Sequence, residues 1–289
     1  MKFAIIANPL KYEVKDALTA VTAWARSNKI ELFLDQTVCD QLSVAGCKYI
    51  HSTGSDEESI EKSNVILVMG GDGTILYTAR ISRRSGKPVL GINSGRLGFM
   101  TNIQNDELES ALEQVLAGNF TLDKRHYLKA INEDGKAFYA LNEFLFARKD
   151  STSMVSIRAE YDGNLISTYW SDGLIVASPT GSTAYNLASG GPIVAPGSGV
   201  MVVNPINPHT LTTRPLILRA DKPLKITIPK QPTDILFSYD GSILDLQNLP
   251  TSFEIIKSKL TFSLIQLPGQ NYFETLRKKL MWGQDSRRN

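Results

Sequence analysis

Four stretches of this chain carry residue types able to do chemistry. The first is VMGGDGTI, Val68 to Ile75, in which three glycines surround one carboxylate directly after an apolar run. A glycine-rich turn that leaves a strand and opens a helix exposes backbone N–H groups, and the helix start adds partial positive charge. Such a turn, here Gly70, Gly71, Gly73 and Thr74, can hold phosphate oxygens. Two familiar phosphate loops do not fit. A Walker loop needs Gly-Lys-Ser/Thr, and no lysine follows; a dinucleotide fingerprint needs a third glycine where Leu76 stands. Asp72 is the anomaly, because a carboxylate repels phosphate. Either it is a helix N-cap or turn aspartate, or it faces phosphate across a divalent cation, or it takes a proton from a hydroxyl that attacks the phosphate. The last two alternatives both mean phosphoryl transfer.

The second stretch, LGINSGRLGFM from Leu90 to Met100, again leaves a strand into a turn, with Asn93, Gly95 and Gly98 for backbone freedom and Arg96 as a phosphate clamp. Its ordinary alternative is a βα loop with a solvated arginine. The third, SDGLIVASPTGSTAYNLASGGPI from Ser171 to Ile193, ends a strand in Pro179-Thr180-Gly181-Ser182-Thr183 and leads into a short helix carrying Ala184 and Tyr185. A Ser/Thr-rich turn with local side-chain bonds is the plain alternative. The fourth is Asn142-Glu143, a polar pair inside an apolar strand run, or simply a strand-edge pair.

These stretches need elements to position them, and the chain has two rhythms. Up to about residue 118, short apolar runs alternate with helical ones: Phe3 to Ala7, then 13–28; Ile30 to Leu34; Val65 to Met69, then 74–84; Val89 to Ile92, then 105–117. That alternation predicts βαβ units on a parallel sheet. From Tyr127 to Leu267 the runs are short and rich in aliphatic and aromatic residues, as in FYALNEFLFA, MVSIRAEY, LIVAS, PLILRA, PLKITIP, DILFSY, FEIIKS and LTFSLIQL. These predict an all-β sandwich-like domain. YFETLRKKLMWG returns to helical spacing, with Phe273, Leu276 and Leu280 on one face. The expected fold is an N-terminal Rossmann-like α/β domain over 1–118, a β-rich domain over 119–268, and a helix within 269–289 packing back on the first.

Composition narrows the function classes. A net charge of +2, from 31 basic and 29 acidic residues, carries no polyanion-binding signature, and 42% hydrophobic content is ample for a core. The opening MKFAIIANPL reads as a first strand, its apolar run too short for a secretory core or a membrane span. Cys39 and Cys47 suggest reduced thiols in a cytoplasm, and the scattered His51, His126 and His209 assemble no metal site, so no protein ligand to a metal is assignable.

Taken in order, GGDGT, LGxNxGxLGF, Asn-Glu, SDGLIVASPTGSTAYNLASGGPI and NPHTLTTRPL resemble the NAD kinase family of bacterial type. The resemblance runs from about Val65 to Asp221 and resumes at YFETLRKKLMW. It implies transfer of the γ-phosphoryl group of ATP to the 2′-hydroxyl of the adenosine ribose of NAD, with Asp72 as general base and Mg²⁺ as the accompanying cation. It further implies that Gly73, Phe99, Met100, Asn142, Glu143, Ser153, Trp170, Asp172, Thr183, Ala184, Tyr185 and Ala188 contact NAD. Asn142 and Glu143 hold the adenosine part, Phe99 and Met100 line the adenine side, and Asp172 lies near the nicotinamide. The 119–268 domain becomes the NAD-binding one, and a homodimer or homotetramer completes the site; neither nucleic acid nor membrane is an expected partner. This chain departs from the family at Trp170, where some bacterial members have arginine, at Ala188-Ser189, where Ser-Ala is usual, and at the small Ser153. Those changes bear on the choice between NAD and NADH. Two other functions compete: a kinase for a lipid or sugar alcohol using the same GGDG turn, and a non-catalytic dinucleotide-binding regulator.

Overall fold

The computed structural model describes residues 1–11, 13–95, 98–101, 103–149, 152–230, 235–244 and 251–281. In chain order the elements are β1 (Lys2–Ala7), α1 (Glu13–Ser27), β2 (Glu31–Asp35), α2 (Gln36–Leu42), β3 (His51–Thr53), α3 (Asp56–Lys62), β4 (Val65–Gly70), α4 (Asp72–Ser82), β5 (Val89–Asn93) and α5 (Leu108–Leu116). There follow β6 (Thr121–Asn132), β7 (Ala137–Ala140), β8 (Glu143–Arg148), β9 (Val155–Tyr161), β10 (Asn164–Ser171), β11 (Gly173–Ala177), α6 (Tyr185–Ala188), β12 (Val200–Ile206) and β13 (Leu216–Arg219). The chain closes with β14 (Leu224–Thr227), β15 (Ile235–Tyr239), β16 (Ser242–Leu244), β17 (Ser252–Gln266) and α7 (Tyr272–Leu280). No helix among the described residues is long and apolar enough to cross a membrane.

Two compact units emerge. The first comprises Met1–Lys124 and Phe262–Asn289, the second Arg125–Thr261. In the first, parallel strands run in the order β17, β5, β4, β1, β2, β3, with Leu264 near the end of β17 paired to Val89. Every residue of β4 and β5 is buried, which is why VILVMG and VLGI read as unbroken apolar or small runs rather than alternating ones. Helix α1 buries Val14, Leu18, Val21 and Trp24 at helical spacing against that sheet. After β3 the chain returns to the opposite side of β1 and lays down β4. The order of strands therefore reverses between β1 and β4, the place where open α/β sheets hold ligands beyond their carboxyl ends.

The second unit is a sandwich of antiparallel sheets. One has the order β13, β12, β11, β8, β15, β16; the other joins β10, β9, β14 and the start of β17, while β7 pairs with β6. Alternate residues Phe144 and Phe146 of β8 point into the shared core, where Phe237 stacks on Phe253 at 4.5 Å between ring centroids. Aromatic side chains at this density supply much of the buried apolar area of a small sandwich.

Local reading erred at several places. FEIIKS and LTFSLIQL are one strand, β17, because Lys257, Ser258 and Lys259 keep an extended backbone through the polar middle. Residues 36–62, which show no clear period, fold into α2, β3 and α3, with Asp35 and Ser55 as N-caps accepting from Thr37 and Glu58 N–H. FYALNEFLFA is not one strand. It is β7 and β8 in different sheets, and Asn142 sits in the gap between them.

Candidate active site

Strand β4 ends at Gly70, Gly71 is the N-cap of α4, and Asp72 is that helix's first residue. The N-cap position is therefore held by Gly71 and not by Asp72. Its carboxylate looks elsewhere: Phe99 N–H donates to Oδ2 and Met100 N–H to Oδ1, each at 2.9 Å. Those donors arrive because the chain after β5 doubles back. Asn93 N–H bonds Ile103 O at 2.8 Å, Ser94 N–H bonds Gly70 O at 3.0 Å, and Gly98 N–H bonds Thr101 O at 3.2 Å. A carboxylate offers about four lone-pair positions, so two backbone bonds aim it and leave it capable of accepting a proton.

The glycines have separate tasks. A Cβ on Gly98 would lie 2.3 Å from Asp72 Oδ1, so this glycine exists to let the carboxylate in. A Cβ on Gly70 would reach 2.2 Å from Thr74 Oγ1, whereas one on Gly73 would meet nothing within 4 Å. Among the described residues no contact demands glycine at 73, and open backbone there suits a ligand. Arg96 lies outside the described residues. A lysine does stand by the turn: Lys11, in the loop after β1, donates to Ser94 O at 3.1 Å, and a Cβ on Gly71 would lie 3.2 Å from its Nζ. Around this turn Asn93 Oδ1, Ser94 Oγ and Thr101 Oγ1 are buried without a hydrogen-bond partner among the described residues.

In the second unit the Asn142-Glu143 pair and the Pro179 loop come together, and register explains it. Strand β8 pairs β11 with Glu143 opposite Ala177, so residue 178 falls opposite residue 142. Ser178 N–H bonds Asn142 O at 2.8 Å and its hydroxyl bonds Leu141 O. A Cβ on Gly181 would lie 2.2 Å from Asn142 O, a collision with backbone that makes glycine obligatory. Strand β15 flanks β8 on its other side and turns into β16 through Asp240-Gly241, both at positive φ, as a two-residue hairpin requires. That turn brings the Asp240 carboxylate onto the N–H groups of Leu141, Asn142 and Glu143 at 2.6, 2.7 and 3.2 Å.

The consequence is electrostatic. Desolvation, and then the negative Asp240, push the Glu143 carboxyl up to about 8. Burial likewise raises Asp240, to about 6, against the downward pull of its three N–H bonds. Glu143 Oε2 and Asn142 Oδ1 are buried without a partner among the described residues.

The other residues singled out by sequence take varied positions. Thr183 ends a 3-10 turn over Gly181–Thr183, Ala184 caps α6, and Tyr185 and Ala188 are its exposed first and last residues. Beneath them Asn186 is fully buried, its Nδ2 bonded to Ser182 O and Pro192 O at 3.1 Å, which anchors the loop. Asp172 pairs with Arg148 Nε at 3.1 Å and accepts from Asn207 Nδ2 at 3.0 Å. Trp170, half exposed on β10, lies 4.5 Å from the His209 ring. Ser153 is exposed ahead of β9. Among the described residues no three or more His, Cys, Asp or Glu gather as a metal cage.

Asp240 and Lys11 escaped sequence reading. YDGS announces a hairpin turn, which it is, but nothing local shows a carboxylate reaching 97 to 99 residues back. Lys11 follows Asn8-Pro9 as an ordinary surface lysine would.

Comparison with known proteins places these parts in company. The ATP-NAD kinase N-terminal domain model matches residues 3–120 and the ATP-NAD kinase C-terminal domain model residues 141–267. The NAD kinase of Flavobacterium johnsoniae is 34% identical over 294 residues, covering 99% of this chain and 100% of that one. That of Christiangramia forsetii is 37% identical over 256 residues, covering 83% and 86%. Among solved structures, yeast NADH kinase complexed with NADH matches with a TM-score of 0.90 at 21% identity, over 100% of this chain and 90% of that one. An NAD kinase from Archaeoglobus fulgidus in complex with ATP matches with a TM-score of 0.77 at 22% identity, over 97% and 99%. At such identities the structural likeness speaks to fold.

Proposed function

The chain belongs to the NAD kinase family, and from that premise we propose that it transfers the γ-phosphoryl group of ATP to the 2′-hydroxyl of the adenosine ribose of NAD, giving NADP. The observation that carries this reading is the Asp72 carboxylate, aimed by Phe99 and Met100 N–H at the mouth of an open glycine turn. As the 2′-oxygen bonds to the γ-phosphorus, the bond from that phosphorus to the β,γ-bridging oxygen breaks and ADP leaves. Asp72 takes the hydroxyl proton. The turn's N–H groups and the start of α4 receive phosphate oxygens.

The remaining roles follow the family resemblance. Glu143 and Asn142 offer their partnerless oxygens to the adenosine ribose and base. Phe99 and Met100 side chains line the adenine, and Asp172 meets the nicotinamide end. Thr183, Ala184, Tyr185 and Ala188 pack along the dinucleotide, with Ser153 and Trp170 beside it. ATP enters as its complex with a divalent cation, for which Mg²⁺ is proposed; with no carboxylate or histidine cage among the described residues, the cation is carried on the donor's phosphates. We read the protein as cytoplasmic, on its two free thiols, and as a homodimer or homotetramer, since edge strands β13 and β16 expose Leu216, Ile217 and Ile243.

Incubation with ATP, Mg²⁺ and NAD, followed by detection with a dehydrogenase that accepts only NADP, tests the reading. NADP should accumulate with the wild type and not with Asp72→Asn; equal signals from both would sink it. Replacing NAD by NADH, and ATP by inorganic polyphosphate, sorts acceptor and donor preference.

A further inference from the structure

The GGDG turn lacks the lysine that other phosphate loops carry within their own sequence. The fold brings one from another loop. Strands β1 and β4 are neighbours, paired from Phe3 with Val65 to Ala7 with Met69, and the order of the sheet reverses between them. Their carboxyl ends thus open the crevice where such sheets hold ligands. The β1 loop is tied there: Asn8 N–H bonds Met69 O at 3.1 Å, and Leu10 and Lys11 N–H turn back on Asn8 at 3.1 and 3.2 Å.

From that loop Lys11 crosses to Ser94 O and sets its Nζ beside Gly71. One of its three N–H groups is used, and among the described residues Ser94 O is the acceptor it has. Ser94 itself is 1% exposed and its Oγ has no partner among the described residues, as is true of Asn93 Oδ1. A lysine with two N–H groups unbonded among the described residues, glycine backbone N–H groups and the buried Ser94 hydroxyl, able to donate, lie around one turn, and that is the chemistry of an oligophosphate seat.

We propose that Lys11 is the phosphate-binding cation of the donor site, doing from the β1 loop what a Walker lysine does from within its own. This rests on the phosphotransfer reading above. Its role is charge on the donor's phosphates and does not extend to the acceptor nucleotide.

The test compares Lys11→Met and Lys11→Arg with the wild type. Lys11→Met should raise KM for ATP roughly 10- to 100-fold, the usual loss for a bond to a charged group, while KM for NAD moves less than about 2-fold on the same grounds. Lys11→Arg should recover most of the affinity for ATP. Calorimetric titration with inorganic tripolyphosphate gives a second readout that needs no turnover: wild type should bind and Lys11→Met should not. If Lys11→Met keeps the wild-type KM for ATP and the wild-type tripolyphosphate affinity, the proposal is overturned. It is equally overturned if both KM values rise together with a lowered melting temperature that Lys11→Arg does not restore, since Lys11 is then a tether between loops. A wild type that binds tripolyphosphate through Lys11 yet makes no NADP would sink the kinase reading and leave the anion seat standing.

Discussion

Asp72 and Asp240 are built by the same device and set to different ends. Each is a carboxylate at the tip of a strand whose oxygens accept backbone N–H groups from a distant segment, 27 and 28 residues away for Asp72 and 97 to 99 for Asp240. Asp72 has two such bonds and stands at a helix start beside open glycine backbone. Asp240 has three, returns its own N–H to Glu143 O at 3.2 Å, and closes a hairpin. Backbone donors orient both carboxylates, but those on Asp240 occupy one more of its lone-pair positions than those on Asp72. Asp72 keeps enough to act as the proposed base. Asp240 spends its bonds fixing the shape of the Leu141 to Glu143 junction.

That contrast breaks most visibly in kinetics. Asp72→Asn should lower kcat by about 10²- to 10⁴-fold, the worth of a positioned base, with a melting temperature near that of the wild type. A kcat within about 3-fold of wild type would fall far short of a base's worth and remove Asp72 from the chemistry. Gly98→Ala tests the aim rather than the group. The added methyl collides with Oδ1, and a displacement of about 1 Å can cost about 10²-fold, so kcat should fall with Asp72 still present.

Asp240→Ala should behave in the opposite sense. It strands three N–H groups, so chemical denaturation should report a loss of roughly 3 kcal/mol, accompanied by a raised KM for NAD and a kcat less affected than in Asp72→Asn. An Asp240→Ala protein as stable as the wild type, with its loss confined to kcat, would make Asp240 a second reactive carboxylate and dissolve the distinction.

The comparison also carries a dependence on pH. Unfolded, Glu143 gives up its proton near 4.5; folded, it holds it to about 8. Between those values the folded chain binds more protons than the unfolded one, so its contribution to stability is full below 4.5 and is lost as the pH climbs through about 8. Asp240 adds the same sign over the lower window, from 3.8 to about 6. Melting temperature should therefore drift down from pH 5 to pH 8.5 at about constant ionic strength, and Glu143→Gln should flatten the drift above about pH 6, leaving the lower part to Asp240. Identical profiles for the variant and the wild type would mean that Glu143 is ionised throughout.

Much of the first unit was legible because its signals are local. Buried parallel strands must be continuous apolar runs, and amphipathic helices must repeat at their own period, so Val65 to Met69 and residues 13–28 announce themselves. Residues 36–62 did not, because α2 and α3 have seven residues each, two turns apiece, and lean on N-caps and neighbours rather than on a long periodic face. In the second unit, aliphatic and aromatic runs revealed the sandwich but hid the break at Asn142. Apolar runs, FYAL and FLFA, flank the Asn142-Glu143 pair, and the change of sheet partner is what separates β7 from β8.

Determined by the sequence alone were the glycine turn, the carboxylate inside it, the two folding rhythms and the order of motifs that marks the family. All of these depend on residues within one turn or one strand of each other, or on a pattern read along the chain. What the tertiary structure decided is what Asp72 is not and what it has for company. Gly71 and not Asp72 is the N-cap of its helix, and the Asp72 carboxylate accepts from Phe99 and Met100; Lys11 comes from another strand's loop, and Asp240 shapes the Asn142 junction from a hairpin. Hydrogen bonds between segments so far apart along the chain are set by strand order and register, which no local spacing encodes.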